Sequence, residues 1–139
     1  MDTNVLVYAY DASETIKQPI ARALLEQLWA SHTGAVSTQI LQEFYNTVTR
    51  RVPSRLAPAE ARDIVGLYSA WSVVVINPAL ILSASRLEEA HQVSFWDALV
   101  LEAARVAGAP RLLSEDMQHG RVIEGVQIEN PFRDASGPA

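Results

Sequence analysis

Residues Val73–Ile76 form a run of β-branched apolar side chains with no polar residue between them. A strand with one face in water alternates apolar and polar side chains, whereas a strand covered on both faces does not. We therefore predict that this run is a strand buried on both faces, in a parallel sheet covered by helices. Asn77 and Pro78 end the strand, because proline cannot donate a hydrogen bond to a neighbouring strand.

Helical segments alternate with short strand candidates along the rest of the chain. Apolar spacing predicts helices over about 15–31, 39–51, 57–70, 79–91 and 96–107. Strands are predicted at 35–37, 111–114 and 126–128, the last of them at a sheet edge, with a polar connection over 115–125. This alternation indicates βαβ crossovers, and hence a three-layer α/β/α fold with a short, mainly parallel sheet. We expect one domain over 1–133 and a disordered tail over 134–139.

Apolar spacing also predicts which helix faces are buried. In the first long helix the inward face carries Ile16, Ile20, Ala23, Leu24 and Leu28. In the 39–51 helix it carries Ile40, Leu41, Phe44 and Val48, and Ser37 or Thr38 caps the helix start. We expect Trp96 to lie in the core rather than to serve as a platform for a nucleic-acid base.

Four acidic residues border these elements: Asp2, Glu43, Asp97 and Asp116. Sites in open parallel sheets lie beyond the carboxyl ends of the strands, and Asp116 follows the 111–114 strand while Asp97 lies in a first helical turn. An unpaired carboxylate beside apolar residues is costly, and clustered carboxylates repel one another and favour a bound cation. Oxygen ligands without cysteine suit Mg²⁺ or Mn²⁺.

Each of these acids also has an ordinary structural interpretation. Asp2 can cap a helix that begins at Thr3, and Asp97 stands three residues after Ser94, the spacing of a capping box. Glu43 can be a solvated helix acid and Asp116 an ordinary loop acid. The sequence leaves both interpretations open for every one of the four.

Composition restricts the possible functions. Cysteine is absent, which excludes disulfides, thiolate metal sites and a cysteine nucleophile. The net charge of −5 has the wrong sign for a protein that coats nucleic acid, although bound cations would reverse the sign at the acid site. No apolar run approaches the roughly 18 residues of a membrane span and no basic leader segment is present, so we expect a cytoplasmic protein without membrane association.

Four segments, in chain order, carry a family resemblance: Asp2–Val7, Gln39–Asn46, Phe95–Val100 and Leu113–Asp116. They resemble the motifs of the PIN domain, and within that family the chain is similar to the VapC-type toxins of bacterial toxin–antitoxin pairs. The resemblance implies that Mg²⁺ or Mn²⁺ binds to Asp2, Asp97 and Asp116, with Glu43 binding directly or through water. It also implies that the carboxylates are oriented by Asn4, Ser37 and Ser114.

The resemblance further implies an endoribonuclease that acts on structured RNA and hydrolyses its phosphodiesters with metal-activated water. It implies a homodimer that a cognate antitoxin neutralises, because the antitoxin's C-terminal segment wraps the toxin and blocks the site. Arg50, Arg51 and Arg121 are candidates for holding RNA phosphates, with a solvated surface cluster as the alternative. Two other functions stay open: a metal-dependent phosphomonoesterase-like hydrolase, and a catalytically inactive PIN-like binding module.

The chain departs from the family pattern at its first residue. The family has an apolar strand before the first aspartate, whereas here only Met1 precedes Asp2. We therefore expect the central strand to be nearly absent and the natural chain to start upstream of Met1.

Overall fold

The structure is a computed structural model that describes residues 1–134. Residues 135–139 of the expected tail lie outside the described part. The helices are α1 (Thr3–Tyr10), α2 (Lys17–Ser31), α3 (Thr38–Arg50), α4 (Pro58–Tyr68), α5 (Pro78–His91) and α6 (Phe95–Val106). The strands are β1 (Ala35–Ser37), β2 (Ser72–Val74), β3 (Arg111–Leu113), β4 (Val122–Ile123) and β5 (Val126–Glu129).

The described strands form two small sheets. β1 pairs with β2 in parallel, while β3 pairs with β5 in parallel and β5 pairs with β4 antiparallel. Helix α6 packs against β1, β3 and β5 and thereby bridges the two sheets. The predicted mixed α/β fold with mainly parallel strands is confirmed, although its strands are divided between two sheets.

A cavity of about 490 Å³ is lined by residues of both β1 and β3, with α6 residues Val100, Ala103 and Ala104 beside them. Met1 also lines this cavity, and the backbone N–H of Asp2 donates a 2.8 Å hydrogen bond to the carbonyl oxygen of Leu113. Burial lowers the pKa of the Met1 ammonium to about 6, against the attraction of the Asp2 carboxylate. The start of the chain therefore lies against the carboxyl end of β3.

Three helices begin with a capping side chain at this edge of the fold. Asp2 Oδ1 accepts from Thr3 N at 2.8 Å, Ser37 Oγ from Ile40 N at 3.3 Å, and Ser94 Oγ from Asp97 N at 3.1 Å. Each bond satisfies one of the backbone donors that a helix start leaves without an internal partner. Asp2, Ser37 and Ser94 thus have the capping roles that the sequence left open for them, and two of the four acids, Asp2 and Asp97, lie at these helix starts.

Burial confirms the predicted face of α3 and corrects that of α2. All four residues predicted inward in α3 are buried. In α2 the buried residues are Ala21 and Leu25. The predicted Ile20, Leu24 and Leu28 are partly buried and pack against the core, whereas Ala23 is exposed and Ile16, 63% exposed, precedes the helix. A repeat of four residues advances about 40° around a helix at each step, so a long stripe of this spacing leaves the buried face.

Two strand predictions were wrong in detail. The strand predicted at Val73–Ile76 is β2, which is only half-buried, and Val75 after it is 64% exposed. Within residues 1–134 β2 pairs only with β1, so it is an edge strand. The strand predicted at an edge over 126–128 is β5, which lies between β3 and β4, and β4 falls inside the predicted polar connection.

Candidate active site

Asp2 lies at the junction between the end of β3 and the start of α1. Its Oδ1 accepts from the Thr3 backbone N–H, and its Oδ2 accepts a 2.9 Å hydrogen bond from Ser114 Oγ. Ser114 follows β3 directly and is completely buried. Both carboxylate oxygens are thus fixed by partners from two different elements.

Glu43 approaches the same junction from α3. Thr3 Oγ1 donates a 2.5 Å hydrogen bond to Glu43 Oε2, and Gln39 Nε2 donates one of 3.1 Å to Oε1. Thr3 is buried and is the first residue of α1, directly after Asp2. Two of the four acids are therefore joined through a single buried threonine.

Asp97 lies in the first turn of α6, and it carries the clearest electrostatic sign of a shared site. Partial burial raises the pKa of its carboxyl, and the negative charges of Asp2, Asp116 and Glu43 raise it further. The hydrogen bond with Ser94 acts in the opposite direction. The charges of all three of the other acids therefore act on the carboxyl of Asp97.

Asp116 follows β3 and is more exposed to solvent than its neighbours Ser114 and Glu115. Asn4 Nδ2 donates a 2.8 Å hydrogen bond to its Oδ2. Partial burial raises the pKa of Asp116, and the charges of Asp2 and Glu115 add to the shift, while Asn4 and Lys17 oppose it. Asn4 is on the first turn of α1, so α1 contacts three of the four acids or their partners.

A second cluster supports the loop that carries Asp116. Glu115 accepts a 2.6 Å hydrogen bond from Tyr8 Oη and pairs at 2.5 Å with Lys17 Nζ, which lies 4.8 Å from the centre of the Tyr8 ring. Burial, with the hydrogen bond to Glu115, raises the pKa of Tyr8 to about 12. The ends of α1 and α2 thereby hold the residue next to Asp116.

The expected orienting residues have different environments. Asn4 and Ser114 bond to carboxylates, in agreement with expectation. The Ser37 hydroxyl instead accepts from the Ile40 backbone at the start of α3. Sequence reasoning overlooked the bond from Thr3 to Glu43, the role of Gln39 and the Tyr8–Lys17–Glu115 cluster. The contact of Gln39 with Glu43 could have been predicted, because side chains four residues apart on a helix lie on the same face.

The three arginines suggested for RNA lie in different surroundings. Arg50 and Arg51 are exposed at the C-terminal end of α3, about 10 Å along the helix axis from Glu43. Arg121 Nη2 donates a 2.7 Å hydrogen bond to the His91 carbonyl oxygen at the end of α5. This bond gives Arg121 a structural role, and its contact with RNA stays a prediction.

The donor set consists of carboxylate oxygens, which suits a hard divalent cation such as Mg²⁺ or Mn²⁺. Within residues 1–134, no group of three or more His, Cys, Asp or Glu side chains already stands close enough to hold an ion. Clustered carboxylates repel one another, and a bound cation offsets that repulsion. The chemistry of these residues therefore fits a cation that would draw the carboxylates together.

The fold and the site define a class: small α/β domains with carboxylates gathered beyond the ends of parallel strands. The chain belongs to the PIN domain family, whose model matches residues 1–124. PIN domains are generally metal-dependent nucleases. A search of curated proteins finds no significant match. None of the helices in the described part combines the length and the apolar character needed to cross a bilayer.

Proposed function

We propose that this protein is a Mg²⁺- or Mn²⁺-dependent endoribonuclease, and the toxin of a toxin–antitoxin pair. The observation that supports this most strongly is the hydrogen-bond network that links Asp2 to Glu43 through Thr3 and to Ser114 at the end of β3. The negative charges of these acids help to raise the pKa of Asp97. A carboxylate that is repelled by three others is stabilised when a cation binds. Metal-dependent hydrolysis of a phosphodiester requires such a bound cation.

In this proposal Asp2, Asp97 and Asp116 hold the cation, and Glu43 binds it directly or through a water molecule. The cation, when bound, activates water for attack on phosphorus and offsets the charge of the phosphate. Ser114 fixes the Asp2 carboxylate, and Asn4 fixes that of Asp116. Such hydrogen bonds set the direction in which each ligand oxygen points, which governs affinity for the ion.

RNA has to approach a protein of net charge −5, so local positive groups matter. Arg50 and Arg51 are exposed on the α3 helix that carries Glu43, and we propose that they contact phosphates away from the scissile bond. Arginine suits this role because its guanidinium makes paired hydrogen bonds to phosphate. The proposed contact of Arg121 would use those of its donors that do not bond to His91.

We propose that the domain extends to residue 133, beyond the family match. Phe132 is buried, and its ring packs edge-on against that of Tyr8 with centroids 5.2 Å apart.

We also propose that the protein acts in the cytoplasm as a homodimer and that a cognate antitoxin protein neutralises it. These proposals come from the family resemblance.

The nuclease proposal is tested by cleavage of purified RNA in the presence of Mg²⁺ or Mn²⁺. We expect the wild type and Asp63→Asn to cleave, since Asp63 is an exposed residue of α4, and Asp97→Asn and Asp2→Asn to lose cleavage while staying folded. Cleavage at the wild-type rate by both site variants would contradict the proposal. Hydrolysis of a simple phosphomonoester without RNA cleavage would favour the phosphatase alternative, and inactivity on both would favour the binding module.

A further inference from the structure

Gln39, in the first turn of α3, has a buried amide oxygen that accepts no hydrogen bond. Among the described residues, two buried side-chain polar atoms are in this condition, Gln39 Oε1 and Trp71 Nε1. The Trp71 indole packs against the rings of Trp29 and Tyr68, and aromatic rings are weak acceptors for an N–H group. Gln39 is only 8% exposed and contacts no such ring. Because buried polar atoms nearly always have a partner, its oxygen indicates a donor that is not part of the chain.

The amide nitrogen of Gln39 contacts two segments of the acid site. Gln39 Nε2 donates a 3.1 Å hydrogen bond to Glu43 Oε1 and lies 3.5 Å from the carbonyl oxygen of Trp96, the residue before Asp97. Both partners are acceptors, so turning the amide over would place its oxygen against two other oxygen atoms. The contacts with α3 and α6 therefore fix the orientation in which Oε1 is the free acceptor.

The carboxylate of Glu43 is held by two protein donors. Thr3 Oγ1 donates to its Oε2, and Gln39 Nε2 donates to its Oε1. A carboxylate oxygen can accept more than one hydrogen bond, so each oxygen keeps a lone pair for a further partner. Because Gln39 also reaches the backbone next to Asp97, it sets the position of Glu43 relative to the start of α6.

A hydrated cation supplies the kind of donor that the free oxygen of Gln39 lacks. Mg²⁺ gives up its water molecules reluctantly and usually keeps several of them when it binds to carboxylates. Those water molecules donate hydrogen bonds and need acceptors at the site. An amide oxygen is neutral, so it accepts such a bond without adding to the repulsion among the carboxylates.

We propose that Gln39 is a positioning residue of the cation site. Its amide nitrogen fixes the Glu43 carboxylate beside the start of α6, and its amide oxygen accepts a hydrogen bond from a water molecule of the hydrated cation. This inference rests on the proposed metal-dependent function and adds a fifth residue, outside the four acids, that governs affinity for the ion.

Affinity for Mn²⁺ is measured by calorimetry for the wild type, Gln39→Met and Gln42→Met. Methionine retains the length of the side chain but removes the amide, and Gln42 is the matched control because it is an exposed glutamine of the same helix. We expect Gln39→Met to bind about 10- to 100-fold more weakly, the range for loss of an orienting contact, and Gln42→Met to bind like the wild type. Mn²⁺ should also raise the melting temperature of Gln39→Met less than that of the control.

Circular dichroism verifies that each variant is folded. If Gln39→Met does not fold, Gln39→Asn takes its place, because it retains the amide but shortens its reach by one carbon, and we expect the same loss of affinity. A change in the melting temperature of the metal-free protein with unchanged Mn²⁺ affinity would make Gln39 a purely structural residue and overturn the inference.

A double-mutant cycle with Glu43→Ala tests whether Gln39 acts through Glu43. We expect the combined variant to lose much less affinity than the product of the two separate losses, because the residues work as a unit. Losses that multiply would overturn the positioning role. Mn²⁺ affinity equal in Gln39→Met and Gln42→Met, with RNA cleavage by the wild type, would overturn this inference alone. Gln39-dependent binding of Mn²⁺ without any cleavage of RNA would overturn the nuclease proposal alone.

Discussion

Ser114 Oγ donates a 2.9 Å hydrogen bond to Asp2 Oδ2 across a separation of 112 residues. This bond links the first acid of the chain to the end of β3, where the backbone N–H of Asp2 also bonds to Leu113. Together the two contacts fix the direction of the Asp2 carboxylate, although only Met1 precedes it in the sequence. The acid site therefore depends on contacts between the two ends of the domain.

Asp97→Asn should raise the melting temperature of the metal-free protein at pH 7. The pKa of Asp97 is raised in the folded state, so the charged form of its carboxyl destabilises the fold. The stability that comes from its protonation is present at low pH and is lost as the pH rises through the folded pKa. Asparagine removes that charge. Thermal unfolding with a chelator at pH 7 and near pH 4 measures the effect, and we expect the gain over wild type to shrink at the lower pH. A lower melting temperature for the variant at pH 7 would contradict this.

Affinity for Mn²⁺ should decline as the pH is lowered from 7 toward 4. The pKa values of Asp97 and Asp116 lie above the usual aspartate value, so protons compete with the cation at a higher pH than for isolated aspartates. Titration of Mn²⁺ at several pH values, with circular dichroism to verify that the fold persists, measures this decline. An affinity independent of pH over this range would argue against these two residues as ligands.

Asn4→Ala should weaken metal binding more than it weakens the fold. Its side-chain amide donates to Asp116, and this bond favours the charged carboxylate. Loss of one such orienting contact typically costs about 10- to 100-fold in metal affinity or activity. Asn46→Ala, an exposed change on α3, is the matched control. Equal metal affinity in Asn4→Ala and the control, both folded, would show that Asn4 does not orient a ligand.

Gly34→Ala should destabilise the protein, by about 1–3 kcal/mol if the core adjusts partly. A methyl group at Gly34 would meet the Trp71 ring at 2.5 Å, and Trp71 is buried. Gly66→Ala is the matched control in exposed helix α4, where nothing lies within 4 Å, and it should stabilise by about 0.5–1 kcal/mol. Denaturant unfolding of both variants measures these changes, and a Gly34→Ala protein as stable as wild type would contradict the packing around Trp71.

Helix starts and the α3 face were predictable from the sequence because they depend on local chemistry. Ser37, Ser94 and Asp2 cap helices through bonds that span at most three residues, and Ile40 and Phe44 follow a regular spacing. The division of the strands into two sheets was not predictable, because it depends on which edges pair over long separations. A run such as Val73–Ile76 has the same composition at an edge as in the middle of a sheet.

The acid site was likewise predictable only in part. The four acids were found from their positions beside predicted strands and helices and from the resemblance to the PIN domain. Their partners were found only in part, because the bond from Thr3 to Glu43 joins residues 40 positions apart. The expectation that Trp96 lies in the core was wrong, because Trp96 is 64% exposed. An aromatic residue at a helix start has no local pattern that separates surface from core.

Calorimetric titration of Mn²⁺ into the wild type, Asp97→Asn and the control Asp63→Asn tests the four-acid metal site most directly. We predict saturable binding by the wild type and the control, and its loss or severe weakening in Asp97→Asn with the fold retained. Absence of binding by the wild type, or equal binding by all three proteins, would contradict the site on which the proposed nuclease function depends.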